Sequence, residues 1–513
     1  MEFSSLFSST FSLLVTTLIF IGILKIVTMV HQSFFRWKNK GVPYFPDSPR
    51  SFVTFCKLFV RRIAFTDYAL SLYNYFPNAK YFGTMDFGTP ALILRDPELI
   101  KDVMVKEFEN FHDHRTFVDE ETNPLFKNVF VLRGDRWREM RNTLSPSFTA
   151  SKMKVMFDLV SKCSREFVNY LVDHPELCNE IETKQIFRRY TTDVIATTAF
   201  GISVNSMKDQ NNEFYVKGIE IVRSFNTFLA LFKILFIRAF PRFAKSIGIE
   251  IFASTATDFF KKIVEKTIKV RKEQGIVRPD MIHLLMQAQD KNGSNITLED
   301  IVSQAFIFFL AGFETSSTLM CFVVHELAVN QDIQDRLREE VQQHLNEENE
   351  VSYESLSKMT YMDMVVSETL RKYPPQIFTD RLCTKSYTLP LSQPGYKSIS
   401  IKPNDVLLIP VYGLHYDPKY FPNPNKFDPE RFSKENKDNI VPYTYLPFGD
   451  GPRKCIGNRF ALMETKILVA HLLQKFILKK TSKTVDPVIY DKRDFNLSPK
   501  GGFWIGLEKR ETR

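Results

Sequence analysis

The first hydrophobic stretch of the chain is also its least interrupted. From Phe11 to Val30 only Ser12, Thr16, Thr17, Thr28 and Lys25 break an apolar run. Twenty residues rising about 1.5 Å each would span roughly 30 Å, one bilayer crossing. Pro43, Pro46 and Pro49 then predict a stiff linker. Beyond it, apolar residues recur at helical intervals, above all between Asn169 and Asn346. The sharpest helix start is Thr297-Leu298-Glu299-Asp300, with Thr297 as N-cap and Asp300 reaching back. That pattern runs without proline to about Val329, and from Ala305 to Leu310 it is apolar on every side, which requires burial. Strand-like alternation is confined to Tyr81–Leu94, Ser398–Ile409 and the last thirty residues. The expectation is a mainly α fold with a small β portion, divided into an anchor and flank (1–35), a proline-rich linker (36–50) and one body (51–513).

Charge sets the address. Only Glu2 is charged before the apolar run, whereas Arg36, Lys38 and Lys40 follow it. The positive-inside rule then keeps the body on the cytosolic side. There is no basic n-region, which disfavours a cleaved signal peptide, and the segment is not Arg-rich and amphipathic as a mitochondrial address would be. The glycosylation patterns at Asn292 and Asn295 should stay unused in the cytosol. Lys and Arg total 68 against 59 Asp and Glu, a net charge of +9. With no nucleic-acid motif in the chain, a membrane surface and an acidic protein partner are the expected counterparts. Forty-eight Phe against 19 Tyr and 3 Trp implies wide apolar walls without polar handles. Six cysteines without a C-x-x-C pair argue against a disulfide framework or a zinc site, and imply a reducing compartment.

One of those cysteines stands apart. Phe448-Gly449-Asp450-Gly451-Pro452-Arg453-Lys454-Cys455-Ile456-Gly457 sets a thiol in a glycine-punctuated loop before a helical pattern. A lone cysteine is ordinarily a small buried hydrophobe. The fixed offsets favour a thiolate bound to iron, stabilised by backbone N–H groups and the following helix N-terminus. Phe448 can shield the sulfur, Arg453 can pair with a cofactor carboxylate, and Gly457 lets the helix lie close to a flat cofactor.

These residues resemble the haem-binding signature of the cytochrome P-450 family, Phe-x-x-Gly-x-Arg-x-Cys-x-Gly, with every fixed position matched. The wording of Leu125–Lys154 and Phe308–Ser317 is similar to insect microsomal members associated with detoxification. The resemblance implies a P-450 fold, with haem b between a long central helix and the cysteine loop, Cys455 being the axial ligand of the iron. It implies that Ala311-Gly312-Phe313-Glu314-Thr315-Ser316 is the oxygen-activating segment. There Gly312 would give room to the cofactor, Thr315 would hydrogen-bond bound oxygen, and Glu314 would feed protons. A glycine-kinked helix with a back-bonding threonine is the plainer reading of that segment. Trp137, Arg141, Arg381 and Arg453 would hold the haem propionates. Glu368, Arg371 and Arg431 would form a buried charge network locking the cysteine loop. Phe130, Ile377, Phe378 and Leu497 fall in segments that line family pockets, and Phe225–Lys245 reads as an interfacial roof that admits lipophilic substrates.

The implied activity is a monooxygenase of the endoplasmic reticulum membrane, acting on small lipophilic molecules such as plant toxins or insecticides. NADPH would serve indirectly, through NADPH–cytochrome P-450 reductase, with cytochrome b5 as a further donor. Arg138 and Lys454 are candidate docking residues beside Cys455. Alternatives are an endogenous lipid or hormone hydroxylase, a reductase-independent hydroperoxide isomerase or lyase, and a non-catalytic haem binder.

Overall fold

The computed structural model describes residues 35–46, 48–86, 89–116, 124–225, 240–249, 254–278, 280–291, 296–494 and 496–511, with scattered positions elsewhere between 16 and 31 and between 230 and 252. Most of the apolar run 11–30, most of 226–239 and the Asn292 and Asn295 patterns lie outside the described residues. The described positions at 16–17, 20–22, 24–25 and 27–28 are helical.

Six helices position the site: α1 (Gly134–Leu144), α2 (Ala150–Asp173), α3 (Thr183–Ile195), α4 (Leu298–Val329), α5 (Thr360–Lys372) and α6 (Asn458–Lys475). Helix α4 starts where the sequence predicts. The Thr297 hydroxyl accepts from the Asp300 N–H, and the Asp300 carboxylate accepts from the Thr297 N–H at 2.9 Å. Among the described residues α4 is the one helix long and apolar enough to cross a bilayer, yet it is a core element. Its second half packs with α2, α5 and α6 in the larger hydrophobic core, which includes Leu319, Val323, Leu327, Val365, Ile467 and Leu468. Its first half packs in a second, phenylalanine-rich core. There Phe260 lies 5.4 Å from Phe306 and 5.3 Å from Phe309, and Phe309 stacks on Phe313 at 5.4 Å. These contacts account for part of the phenylalanine excess as packing rather than pocket.

Nine short strands complete the described fold: β1 (Tyr81–Asp86), β2 (Thr89–Leu94), β3 (Ile181–Glu182), β4 (Thr379–Leu382), β5 (Tyr387–Leu389), β6 (Ile399–Ile401), β7 (Val406–Ile409), β8 (Phe476–Lys479) and β9 (Trp504–Lys509). The main sheet has the order β1-β2-β7-β4, with β1–β2 an antiparallel hairpin and β2 parallel to β7. Strand β4 runs antiparallel to β7 and sets Arg381 against Leu407. The predicted stretch Ser398–Ile409 is two strands, broken at Asn404, whose φ is 73°. The smaller sheets are β3-β9-β8 and β5-β6.

Candidate active site

The loop before α6 is shaped by its glycines. Gly449 and Gly451 have φ of 67° and 72°, a left-handed conformation that disfavours side chains. At Gly451 space is also absent, since an added Cβ would lie 2.1 Å from the Met104 carbonyl oxygen. The loop closes with the Cys455 N–H donating to the Phe448 carbonyl at 3.0 Å. Cys455 is accessible although protein encloses it deeply, so its sulfur opens onto interior space. Burial pushes the thiol up, while the Gly457 N–H, Arg141 and Lys454 pull the other way. A cation at the sulfur would hold it as thiolate. Gly457 is different from Gly451: its nearest neighbour for an added Cβ is the Phe148 ring at 3.9 Å. The protein itself leaves that space open, as a flat ligand lying over α6 would require.

Cationic side chains gather on the same side. On α1, Trp137 and Arg141 lie one turn apart, and Arg141 Nη2 donates to the Lys454 carbonyl at 2.8 Å. Arg381 on β4 is 1% exposed. It donates to the carbonyls of Asp380 and Asp450 at 2.7 and 3.1 Å, while its Nε has no hydrogen-bond partner. Burial lowers its guanidinium to about 10. Arg453 is held by the protein as well. It donates to the carbonyls of His112, Val129 and Leu132 at 2.6, 3.3 and 2.8 Å and to Asp113 at 3.3 Å, and it stacks on Trp137 at 4.0 Å. These four bonds brace the loop against the 112–132 segment and leave one Nη1 N–H for a further acceptor.

Helix α4 widens to π geometry at Gly312–Ser316. Hydroxyls take up the carbonyls this turn releases. Thr315 Oγ1 donates to Ala311 O at 2.6 Å, Ser317 Oγ to Phe313 O at 2.7 Å, and Thr318 Oγ1 to Glu314 O at 2.7 Å. From α3, the Thr191 hydroxyl adds a bond to Phe313 O at 3.2 Å. Thr315 is exposed. The helix and the cysteine loop meet at Phe148, which stacks on Phe308 at 5.6 Å and is the neighbour of Gly457.

Two of the expected roles change here. Gly312 is filled by protein: an added Cβ would lie 2.5 Å from Ile195 Cδ1 of α3, so its lack of a side chain serves helix packing. Glu314 is turned to α3, where Arg188 Nε and Nη2 donate to its two oxygens at 2.9 and 3.0 Å and Lys184 Nζ lies 3.2 Å away. Burial alone would push this carboxyl up, but Lys184 and Arg188 outweigh it and hold it below the ordinary carboxylate range.

The pattern of the family described as cytochrome P-450 matches residues 57–505. A cytochrome P-450 9e2 of Blattella germanica is 48% identical over 493 residues, covering 89% of this chain and 90% of that protein. A probable cytochrome P-450 9f2 of Drosophila melanogaster is 42% identical over 505 residues, covering 93% and 97%. A cytochrome P-450 6j1 of Blattella germanica is 38% identical over 476 residues, covering 92% and 93%.

The chain belongs to the cytochrome P-450 family.

It is therefore a P-450 monooxygenase with a haem–thiolate cofactor, and the residues present suit that group. An accessible thiol, an unfilled cradle at Gly457 and an unpartnered Arg381 Nε are a donor set for a flat, anionic, iron-bearing ligand. The charge network beneath the P-450 loop is present as well. Glu368 and Arg371, both fully buried, pair through two bonds of 2.8 and 2.9 Å, and Arg431 Nε approaches Glu368 at 3.5 Å. Glu368 also accepts from the Asp428 N–H at 3.0 Å, and Arg371 donates to the His415 carbonyl at 3.0 Å.

Three of the pocket candidates belong to one core, with Phe378 packed against the cluster of Ile377 and Leu497. Ile377 and Leu497 are buried in the larger core, Phe378 lies 5.8 Å from Phe65, and Phe130 is half-exposed and stacked on His114. Arg138 pairs with Glu109 at 2.6 Å on the surface. Sequence reasoning passed over Lys184, Arg188, Asp113 and Asp380. The string His112-Asp113-His114-Arg115 was the available signal for the last pair, whereas nothing local marks Lys184 and Arg188 as partners of residue 314.

Proposed function

We propose that this P-450 is anchored in the endoplasmic reticulum membrane by its N-terminal segment and oxidises lipophilic xenobiotics such as plant toxins or insecticides. Electrons would come from NADPH through a separate reductase, with cytochrome b5 as a second donor. The observation that carries the reading is the accessible Cys455 thiol in the glycine-turned loop before α6, with that loop and α4 meeting at Phe148. Cys455 would ligate the iron of haem b, which when bound supplies the redox and oxygen chemistry. Trp137, Arg141 and Arg381 would hold the carboxylates of that group, and Arg453 would keep the loop in place behind them. Phe448 would keep water from the sulfur. Thr315 would orient and pass a proton through its hydroxyl, which must exchange its bond to Ala311 O for one to the bound reactant. Glu314, tied to two cations, would fix the turn rather than donate.

Membrane attachment is supported by the side chains around the described N-terminal positions. Phe20, Ile21, Leu24 and Val27 are exposed, and Lys25 Nζ lies 4.4 Å from the Phe240 ring. That contact brings the segment beside Phe243 and Ile247, which are also exposed. Together these would face lipid, as an entry for apolar substrates.

The test is turnover under labelled dioxygen with reductase, NADPH and a panel of plant toxins, insecticides, steroids, fatty acids and a lipid hydroperoxide. Label in an NADPH-dependent product of a toxin or insecticide is the expected result. Conversion of the hydroperoxide alone, without NADPH and without label, would overturn the reading.

A further inference from the structure

The first turn of the cysteine loop hangs from a histidine outside it. Leu446, two residues before Phe448, is buried, and its N–H donates to His415 Nε2 at 2.9 Å. A buried backbone N–H needs an acceptor, and here a side chain 31 positions earlier supplies it. The Leu446 carbonyl accepts in turn from the Gly449 N–H at 3.1 Å, and the Phe448 carbonyl accepts from the Cys455 N–H at 3.0 Å. One turn and one closure therefore separate this anchor from the thiol.

His415 closes the short helix Val411–His415 and is fully buried. Its other ring nitrogen, Nδ1, lies 3.0 Å from the Arg371 carbonyl of α5. Arg371 returns the contact, with Nη1 donating to the His415 carbonyl at 3.0 Å, while its Nε and Nη2 hold Glu368. These partners dictate one form of the ring. A carbonyl requires a donor, so Nδ1 carries the hydrogen; an N–H requires an acceptor, so Nε2 keeps its lone pair. A second proton would set a donor against the Leu446 N–H and a cation beside the Arg371 guanidinium. Burial first and Arg371 second pull the imidazole down to about 3, so it stays neutral. Its orientation is fixed as well. The ring stacks on Tyr445 at 5.4 Å and meets Phe421 edge-on at 6.1 Å, and the Tyr445 hydroxyl donates to the Ser367 carbonyl of α5 at 3.0 Å. With both nitrogens committed to backbone, what this imidazole can do is transmit position.

We infer that His415 is a positioning residue for the Cys455 thiolate: as its Nδ1–H tautomer it couples the C-terminal turn of α5 to the first turn of the cysteine loop, and so fixes where the sulfur is presented. The inference rests on the reading of Cys455 as the iron ligand. The second half of the loop is held separately, by Arg381 on the Asp450 carbonyl and by Arg453 on the 112–132 segment. Without the His415 bond the loop would keep its far anchors and lose its near one, and the residues between Leu446 and Cys455 would be free to shift.

The test uses the haem-loaded full chain, comparing His415→Leu, His415→Gln and, as a control, His471→Leu with wild type. His471 is another buried histidine, whose ring lies 2.8 Å from the Ser164 hydroxyl of α2. Leucine gives Leu446 no acceptor, whereas the glutamine amide offers one donor and one acceptor. Hydrogen exchange at residues 446–449, read by mass spectrometry, should quicken about tenfold or more in His415→Leu. Its reduced carbon-monoxide spectrum should lose most of the thiolate-type band to the thiol-type band. His415→Gln should recover part of both, and His471→Leu should leave both as in wild type. His415→Gln carries the test alone if His415→Leu does not retain haem, with exchange at 446–449 still faster than in wild type. A wild type without the thiolate-type band would defeat the reading of Cys455 as iron ligand. With that band present in wild type, unchanged exchange and spectrum in the His415 variants, or equal losses in His471→Leu, would overturn the positioning role alone.

Discussion

The cysteine loop is held mainly by its own backbone, through two left-handed glycines, a Phe448–Cys455 closure and the buried Glu368–Arg371 pair beneath it. The widened turn of α4 is held from outside. Its carboxylate is gripped by α3, its glycine is occupied by Ile195, and its rear packs against α6, where Glu464 is fully buried. One region is set mainly by its own backbone, the other by two distant helices, α3 and α6. Substitutions should therefore act locally in the loop and at a distance in the turn.

The largest effect is expected beneath the loop. Arg371→Ala would leave Glu368 buried and half-paired, a loss on the order of 3–5 kcal/mol. Denaturant midpoints should report it, with haem loss in parallel. Arg431→Ala should cost less, because Arg431 reaches Glu368 only at 3.5 Å. Equal losses would mean that the network does not centre on the 368–371 pair.

Next come the two loop glycines. Gly451→Ala meets both a left-handed φ and the Met104 carbonyl, and should destabilise by about 2–4 kcal/mol even without haem. Gly457→Ala should leave the haem-free protein within about 0.5 kcal/mol of wild type while lowering haem retention. Thermal unfolding with and without haem separates the two. A Gly457→Ala protein that binds haem normally would remove the cradle.

The clamp on Glu314 predicts a pH effect. Because its folded carboxyl is depressed, its contribution to stability is present above the unfolded value of about 4.3 and fades as pH falls through the lower folded value. Replacing both Lys184 and Arg188 by Met leaves burial unopposed and raises that carboxyl above its unfolded value, so the sign inverts: stability should be lost as pH rises rather than as pH falls. Denaturant midpoints between about pH 3 and pH 7 would show the inversion, and superimposed profiles would place the charge pairing elsewhere.

The smallest effect is expected at Gly312. Alanine gains about 1 kcal/mol in helix propensity but meets Ile195, an overpacking cost of about 1–3 kcal/mol. Gly312→Ala should lose about 1 kcal/mol net, and Ile195→Val should recover most of it. No recovery would mean that the glycine answers to something other than α3.

The same contrast explains what could be read from the chain. Cys455 and its glycines are neighbours in sequence, so their spacing announced them, whereas the 368–371 pair was marked out by the resemblance to the family. The capping box at Thr297 and the run to Val329 were equally legible, because helix periodicity is local. Arg453 and Gly312 were assigned to the cofactor, whereas their contacts are the 112–132 carbonyls and Ile195, over a hundred positions away in sequence. The two-residue strand β3 and the three-residue strand β5 leave no alternation to detect. Glu464 was passed over because a glutamate on a helix is ordinarily solvated, and only the packing of α2, α3 and α4 around it removes that option.

The most direct measurement is the reduced carbon-monoxide spectrum of wild type beside Cys455→Ala and Cys383→Ala. A thiolate ligand at Cys455 requires the thiolate-type band in wild type and Cys383→Ala and its loss in Cys455→Ala. A wild type without that band, or a band that survives in Cys455→Ala, would contradict the assignment of the iron ligand.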